Sequence, residues 1–240
     1  MEKKGFSLTT VLLVAICTTL VVAGAAYFAL QQYYLRDNAH LTLEVTALQT
    51  QVEELQKELR PAQAQPSPPA TRELRSVIQE KGDLVLQALK NKNAVELSKY
   101  VHPQLGLRFT PYTNIHTATD LVFPVTGIPA LFNSNTSYTW GSFDGSGEPI
   151  NLTFSGYYAK FIYDQNFLAA PQIVFNQVLQ RGNMINNFTA AYPQGVSLEY
   201  YFPGFSAQYA GMDWESLKLV FEQSGNTWYL VGIIHEQWTI

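Results

Sequence analysis

The sequence is poor in the residues that most often carry chemistry at protein sites. It has a single cysteine, Cys17, in 240 residues. From Val101 to the C-terminus only four residues are basic and nine are acidic, against 26 aromatic residues. The lone cysteine excludes a disulfide within the chain. A surface with so few basic residues does not neutralise phosphates, which excludes nucleic acid as a partner.

Motifs that hold metals or phosphates are missing as well. No Cys or His spacing typical of zinc is present, and no glycine-rich phosphate loop occurs. The segment 144–148, DGSGE, carries two carboxylates between glycines. It offers too few oxygen ligands for a calcium loop and is typical of a hairpin turn. The sequence therefore predicts neither a metal site nor a cofactor.

Charge is absent from Leu8 to Leu30, a run of 23 residues. About 20 apolar residues in a helix cross a bilayer core, so this run predicts a transmembrane helix. Lys3 and Lys4 precede it, and the positive-inside rule keeps residues 1–7 in the cytoplasm. We expect a single-pass protein of the cell membrane whose remainder is extracytoplasmic. A cleaved signal peptide is the alternative, but its apolar region spans only about 7–15 residues.

The first residues allow a second interpretation. The run from Lys3 to Thr9, KKGFSLT, resembles a type IV prepilin leader, in which cleavage follows a glycine and precedes a phenylalanine. The resemblance implies cleavage after Gly5 and a role as a minor pilin-like subunit. The glutamate that pilins use in assembly is replaced here by Thr10.

A heptad pattern follows the predicted span, in residues 36–60. Its apolar positions alternate in steps of four and three: Leu41, Val45, Leu48, Val52, Leu55 and Leu59. In the heptad abcdefg, position a holds Val45, Val52 and a single asparagine, Asn38, and position d holds leucine. This choice of residues favours a parallel two-stranded coiled coil. We expect a homodimer through this stalk, with a lone helix on the membrane surface as the alternative. The proline-rich residues 61–70 then form a semi-rigid linker.

Residues 71–240 are long enough for one domain with a sizeable core. Helical periodicity covers Leu74 to Leu89, where Gly82 suggests a bend, and Val95 to Val101; a third helix is expected from Phe154 to Tyr163. Short β-rich runs occupy Leu107–Thr110, Leu121–Phe123, Tyr138–Trp140, Ile150–Leu152, Val196–Phe202, Leu217–Glu222 and Trp228–Ile234. Helices followed by mostly antiparallel strands indicate the α+β class.

Three residues are candidates for acid–base or anion-binding chemistry. His102 ends the second helix, Arg108 lies six residues further on the first strand, and His235 closes the last strand beside Glu236. Each also has a structural interpretation, since a histidine before proline often bonds nearby backbone. Strand alternation places Glu236 on the face opposite His235.

A cluster of aromatic residues near the C-terminus is a candidate platform for a sugar or peptide. Trp214, Tyr229 and Trp238 are its members. The alternative is that these rings only fill the core, since each buries about 150–250 Å².

Several runs resemble an uncharacterised family of bacterial secreted or membrane-tethered extracytoplasmic domains. They are Ala88–Tyr112, Trp140–Asp164, YFPGF at Tyr201–Phe205, and Gly211–Ile240. The resemblance covers nearly the whole domain and implies a location and a shared fold, but no activity. The family tends to a histidine where this chain has Tyr201. Paired helices followed by curved antiparallel strands are also similar to the cone-shaped nuclear transport factor-like fold.

These observations favour a membrane-anchored binding module of the bacterial cell envelope. Its expected ligand is an envelope glycan, a peptide or another protein. The alternative is a small-molecule enzyme whose pocket uses His102, Arg108 and His235. Convergence of those three side chains is the structural requirement for that enzyme.

Overall fold

The computed structural model describes residues 69–179, 181 and 185–239, together with Tyr33, Glu44 and residues 46–51 in the N-terminal part. The chain divides into two units, Met1–Ser67 and Pro68–Ile240. The boundary between them falls inside the predicted linker. In the described residues no helix has the length and apolar character needed to cross a bilayer. The predicted span at 8–30 lies outside those residues.

Two helices open the folded unit. Helix α1, Pro69–Lys90, has a proline in its first turn, where a missing N–H costs nothing. It ends where Lys92 adopts a left-handed φ of 52°. Helix α2, Ala94–Ser98, begins at Asn93, whose side chain accepts a hydrogen bond from the backbone N–H of Glu96 at 3.0 Å. The prediction of two helices joined by a short connection is confirmed.

In the part of this unit that the structure describes, the remaining elements are eight strands and two helices, with three 3-10 segments between them. The strands are β1 Leu107–Thr110, β2 Val122–Phe123, β3 Ser137–Ser142, β4 Pro149–Thr153, β5 Gln172–Phe175, β6 Val196–Phe202, β7 Glu215–Ser224 and β8 Thr227–Gln237. Helix α3 spans Phe154–Phe161 and helix α4 spans Phe188–Ala191. The 3-10 segments are Val125–Asn133, Phe167–Ala169 and Ala207–Tyr209.

Six strands form one sheet in the order β2-β1-β8-β7-β6-β5, and β3 pairs with β4 in a separate hairpin. β1 and β8 run parallel, and the other neighbouring pairs are antiparallel. The α+β class with helices packed on a mostly antiparallel sheet is confirmed. Ser224-Gly225-Asn226, a run typical of a hairpin turn, joins β7 to β8, with a φ of 60° at Gly225.

Alternation along the strands separates two faces of the sheet. The inner face buries an apolar core against α1, α3 and the β3–β4 hairpin, with Phe109, Leu219 and Ile233 at its centre. The outer face packs Val220 and Ile234 against Phe188 and Tyr192. His235 and Glu236 lie on opposite faces, as alternation predicts.

Gly82 has a packing role in a helix that continues through it. A Cβ atom at this position would lie 2.5 Å from Leu198 Cδ2 and 2.6 Å from the Tyr200 hydroxyl. The glycine therefore lets α1 approach β6 closely. A glycine inside a helix is typical both of a bend and of a close packing contact, so the sequence alone does not distinguish the two.

Candidate functional site

An aromatic hollow of about 330 Å³ opens beside the end of β1. One wall is the segment that follows β1, and the other is the end of β3 with its turn. Its lining is Pro111, Tyr112, Asn114, His116, Thr119, Asp120, Trp140, Gly141, Ser142, Phe143 and Asp144. Ligand pockets begin at about this volume, and they combine apolar walls with a few polar groups. We refer to these residues as the aromatic hollow.

The aromatic wall is held by packing beneath it. Trp140 is buried; its Nε1–H donates to the carbonyl oxygen of Leu152 at 2.9 Å. Its ring stacks on Tyr157 with the ring centres 3.9 Å apart. Tyr112 packs edge-on against Phe161, with ring centres 5.7 Å apart. These contacts fix the shape of the wall without a ligand.

Asp120 is the most strongly held polar group of the hollow. Its Oδ2 accepts a hydrogen bond from the Thr110 hydroxyl at 2.8 Å and another from the His116 backbone N–H at 3.0 Å. Burial raises the pKa of this carboxyl, while the two hydrogen bonds and the nearby Arg108 oppose the rise. Asp120 is therefore positioned in one orientation before any ligand arrives.

The charged side chains in the lining of the hollow are acidic: Asp120 and Asp144 belong to it, and no lysine or arginine does. Two basic groups lie outside the lining. The Lys160 amino group is 5.5 Å from the centre of the Phe143 ring, and Arg108 is near Asp120. Carboxylates accept hydrogen bonds from hydroxyl, amide and ammonium groups but repel anions. The hollow is thus suited to a neutral or cationic ligand that donates hydrogen bonds.

A buried hydroxyl lies close behind this wall. The Tyr157 side chain is completely shielded, and its hydroxyl has no hydrogen-bond partner. Burial raises its pKa well above the usual value, and the neighbouring Asp120 and Tyr112 raise it further. A buried unpaired hydroxyl costs free energy, and this one lies close to two residues that line the hollow.

The three acid–base candidates are not brought together. His102 is buried near the start of β8, where its Nδ1 accepts hydrogen bonds from the backbone N–H groups of Gln104 at 3.2 Å and Leu105 at 3.0 Å. Its own backbone N–H donates to Leu230, five residues before His235 on β8. Strand rise separates the two histidines by roughly 15 Å. This exceeds the reach of a shared general acid and base.

Arg108 and His235 also lie on different faces of the sheet. Arg108 pairs with Gly232 in register and donates from Nη1 to the carbonyl oxygen of Thr117 at 3.2 Å. His235 points to the inner face, opposite Leu217. This hydrogen bond connects β1 to the segment after it, which contributes one wall of the aromatic hollow.

The aromatic candidates are likewise separated. Trp214 is buried beside Tyr201, with ring centres 6.1 Å apart, and its carbonyl oxygen accepts from the Trp238 backbone N–H at 3.1 Å. Tyr229 lies at the other end of β8, edge-on to His102 with ring centres 5.8 Å apart. Trp214 and Trp238 are therefore neighbours, whereas Tyr229 belongs to a different region.

His235 instead joins two acids in what we call the acid–histidine cluster: Asp164, Glu215 and His235. His235 Nε2 lies 2.9 Å from Asp164 Oδ2. Ligand atoms of all three side chains lie within 4.8 Å of one another, the arrangement that can hold a metal ion. Burial raises the pKa of Glu215, and the nearby Asp164 carboxylate raises it further, while His235 opposes the rise.

A second group of charges is buried on the outer face. Lys218 forms an ion pair with Glu236, and Arg181 forms one with Glu199. Lys218, Glu236 and Glu199 are almost fully shielded from solvent. Burial raises the pKa of Glu236, while Lys218 opposes the rise. Because each charge has a partner, this group is best explained as structural.

Sequence reasoning missed the aromatic hollow and two members of the acid–histidine cluster. Tyr112, Trp140 and Phe143 carry no signal that separates a lining ring from a core ring. Asp164, Glu215 and His235 are 51 and 20 residues apart, since they meet only through the topology of the sheet. One usable signal was the scarcity of charge, because an acidic residue in so apolar a domain needs a specific reason.

Comparison with known proteins adds no family assignment. No protein-family model matches the chain, and no curated protein shows significant similarity to it.

Proposed function

We propose that this protein is a membrane-anchored, extracytoplasmic binding module of the bacterial cell envelope, and that the aromatic hollow is its ligand site. The anchor, the outward orientation and the bacterial setting are supported by residues 1–30 and by the family resemblance of the domain. The observation that carries the proposal is the hollow itself. Its aromatic wall, held carboxylate and missing lysine and arginine favour a neutral, hydroxyl-rich ring, which makes an envelope glycan the best candidate.

We also propose a fold type for the domain. Helices on the inner face of a six-stranded sheet, with a parallel β1–β8 pair next to the edge strand β2, are compatible with a cone of the nuclear transport factor-like type. In such a cone the concave side offers a pocket. This likeness supports the presence of a site but gives no ligand, because one fold hosts many functions.

A binding role is favoured over catalysis because the predicted catalytic residues do not converge. His102 bonds its own loop, Arg108 bonds Thr117 and His235 bonds Asp164. In contrast, the hollow has a preformed shape and fixed polar groups, which reduces the entropy lost on binding.

The proposal is tested by titrating soluble fragments of cell-wall glycan into the full-length chain in detergent, followed by calorimetry. We expect saturable binding, and at least tenfold weaker binding for Phe143→Ala and for Asp120→Asn. The first variant removes a ring from the wall, and the second removes a charged acceptor. A cationic peptide and an anionic envelope polymer are titrated in parallel.

The matched control is Tyr209→Ala, which removes a half-exposed ring outside the hollow and should leave the affinity unchanged. Preferential binding of the anionic polymer would contradict the proposed electrostatics. Equal affinities for the parent and both hollow variants would show that the site lies elsewhere.

A further inference from the structure

The acid–histidine cluster lies at the end of the sheet where β7 begins and β8 ends. Glu215 is the first residue of β7 and pairs with Gln237, so it is the diagonal neighbour of His235. Asp164 reaches them from the loop that follows α3. His235 is fully buried and Asp164 keeps 18% of its side chain exposed, so the cluster is enclosed but has one side open to solvent.

Every member of the cluster has a buried atom without a partner. These atoms are Asp164 Oδ1, Glu215 Oε2 and His235 Nδ1. Most buried polar atoms in proteins are hydrogen-bonded, and an exception calls for strain, catalysis, a water or an ion. Three exceptions within one group of side chains indicate a bound species that satisfies several of them together.

Charge distinguishes an ion from a water molecule. Two carboxylates face each other here, and in the described region neither forms an ion pair with a lysine or arginine. Lys218 and Arg181, on the outer face, are paired with Glu236 and Glu199. A proton on His235 would balance one of the two carboxylates and a water molecule would balance neither, whereas a dication would balance both.

We propose that Asp164, Glu215 and His235 bind a divalent transition-metal cation of the class to which zinc belongs. Calcium and magnesium prefer oxygen ligands only, while an imidazole beside carboxylates suits zinc and its neighbours in the first transition row. Three protein ligands leave a coordination position open to solvent or to a further group.

The distances are compatible with a small adjustment. Bonds of about 2.0–2.2 Å in a tetrahedron place neighbouring ligand atoms roughly 3.4 Å apart. The three ligand atoms already lie within 4.8 Å of one another, so they have to approach one another by up to about 1.4 Å to bind one ion.

The test uses the untagged full-length chain after treatment with a chelator. Calorimetric titration with Zn²⁺ should show one site per chain, and Ca²⁺ and Mg²⁺ should give no comparable binding. Because ligands must lose their protons, binding should release protons and weaken as the pH falls. Repeating the titration in buffers with different ionisation enthalpies measures that release.

Glu215→Gln is the decisive variant. It keeps the size of the side chain but removes an anionic ligand, so Zn²⁺ should bind at least tenfold more weakly. The metal-free variant should unfold at the same temperature as the parent or higher, because a buried carboxyl facing Asp164 is lost. Its thermal midpoint should no longer rise on adding Zn²⁺.

Glu222→Gln is the matched control, since it makes the same change at the other end of β7 and should bind Zn²⁺ like the parent. Three results would overturn the proposal: no saturable Zn²⁺ binding by the parent, equal affinity in Glu215→Gln, or Ca²⁺ binding as tight as Zn²⁺. Asp164→Asn provides a second variant should Glu215→Gln fail to fold.

Discussion

Lys218 ends in an amino group that is almost completely shielded from solvent, and its partner Glu236 is equally buried. Lys218→Met would remove the counter-charge of Glu236 and leave that carboxylate buried and unpaired. We expect a loss of about 3–5 kcal/mol in the free energy of unfolding. Urea denaturation followed by tryptophan fluorescence measures it.

The double variant Lys218→Met, Glu236→Leu separates pairing from packing. It removes both charges, so its stability should lie well above that of Lys218→Met alone. Lys99→Met is the matched control, since Lys99 forms an exposed pair with Glu96 and should change stability little. If Lys218→Met lowers the free energy of unfolding no more than Lys99→Met does, the buried ion pair does not contribute measurably to stability.

At the scale of elements, the contact between α1 and β6 is controlled by Gly82. Gly82→Ala would gain about 1 kcal/mol of helix propensity. It would also push into Leu198 and Tyr200, both of them buried, and overpacking costs about 1–3 kcal/mol. We expect a net loss of up to about 2 kcal/mol in thermal or urea unfolding. The control Ser76→Ala, at an exposed position of the same helix, should stabilise the protein slightly. An equal gain in stability from Gly82→Ala would contradict the prediction, because it would mean that α1 can move away from β6 to make room for the methyl group.

Elements with a clear period or clear ends could be predicted from the sequence. β1 and β6 have the predicted bounds, and the β7–β8 hairpin was marked by Ser224-Gly225-Asn226. β5 was missed because Gln172–Phe175 is short and lacks alternation. The 3-10 segment Val125–Asn133 was missed because Gly127 and Pro129 are typical of a loop.

The sites were harder to predict than the elements for a physical reason. Strand alternation correctly separated His235 from Glu236 but could not say what lies opposite either of them. Asp164 joins His235 through the turn after α3, a contact set by tertiary packing. His102 and His235 were grouped by residue type, yet His102 lies beside Leu230 near the start of β8 and His235 lies near its end.

At the scale of the whole molecule, the stalk would decide how many binding sites face one target. Leu48 lies in the described helical residues 46–51 and is 55% exposed, while the other predicted seam residues lie outside the described part. If the proposed dimer and glycan site are both present, two domains on one stalk would bind a repeating glycan with a raised effective concentration, and a modest single-site affinity would suffice. The dimer proposed from the heptads would therefore strengthen the binding function directly.

Cysteine chemistry tests that dimer in the membrane. Cys17 is the only cysteine of the sequence, so Cys17→Ser with Leu41→Cys leaves one reporter at a predicted d position. We expect this chain to form a disulfide-linked dimer on oxidation, because parallel helices bring identical d positions together. Adding Leu48→Ser and Leu55→Ser removes two apolar layers and should abolish the dimer band. Ala47→Ser, outside the seam, should not; a dimer that persists without both leucines would exclude the coiled coil as its cause.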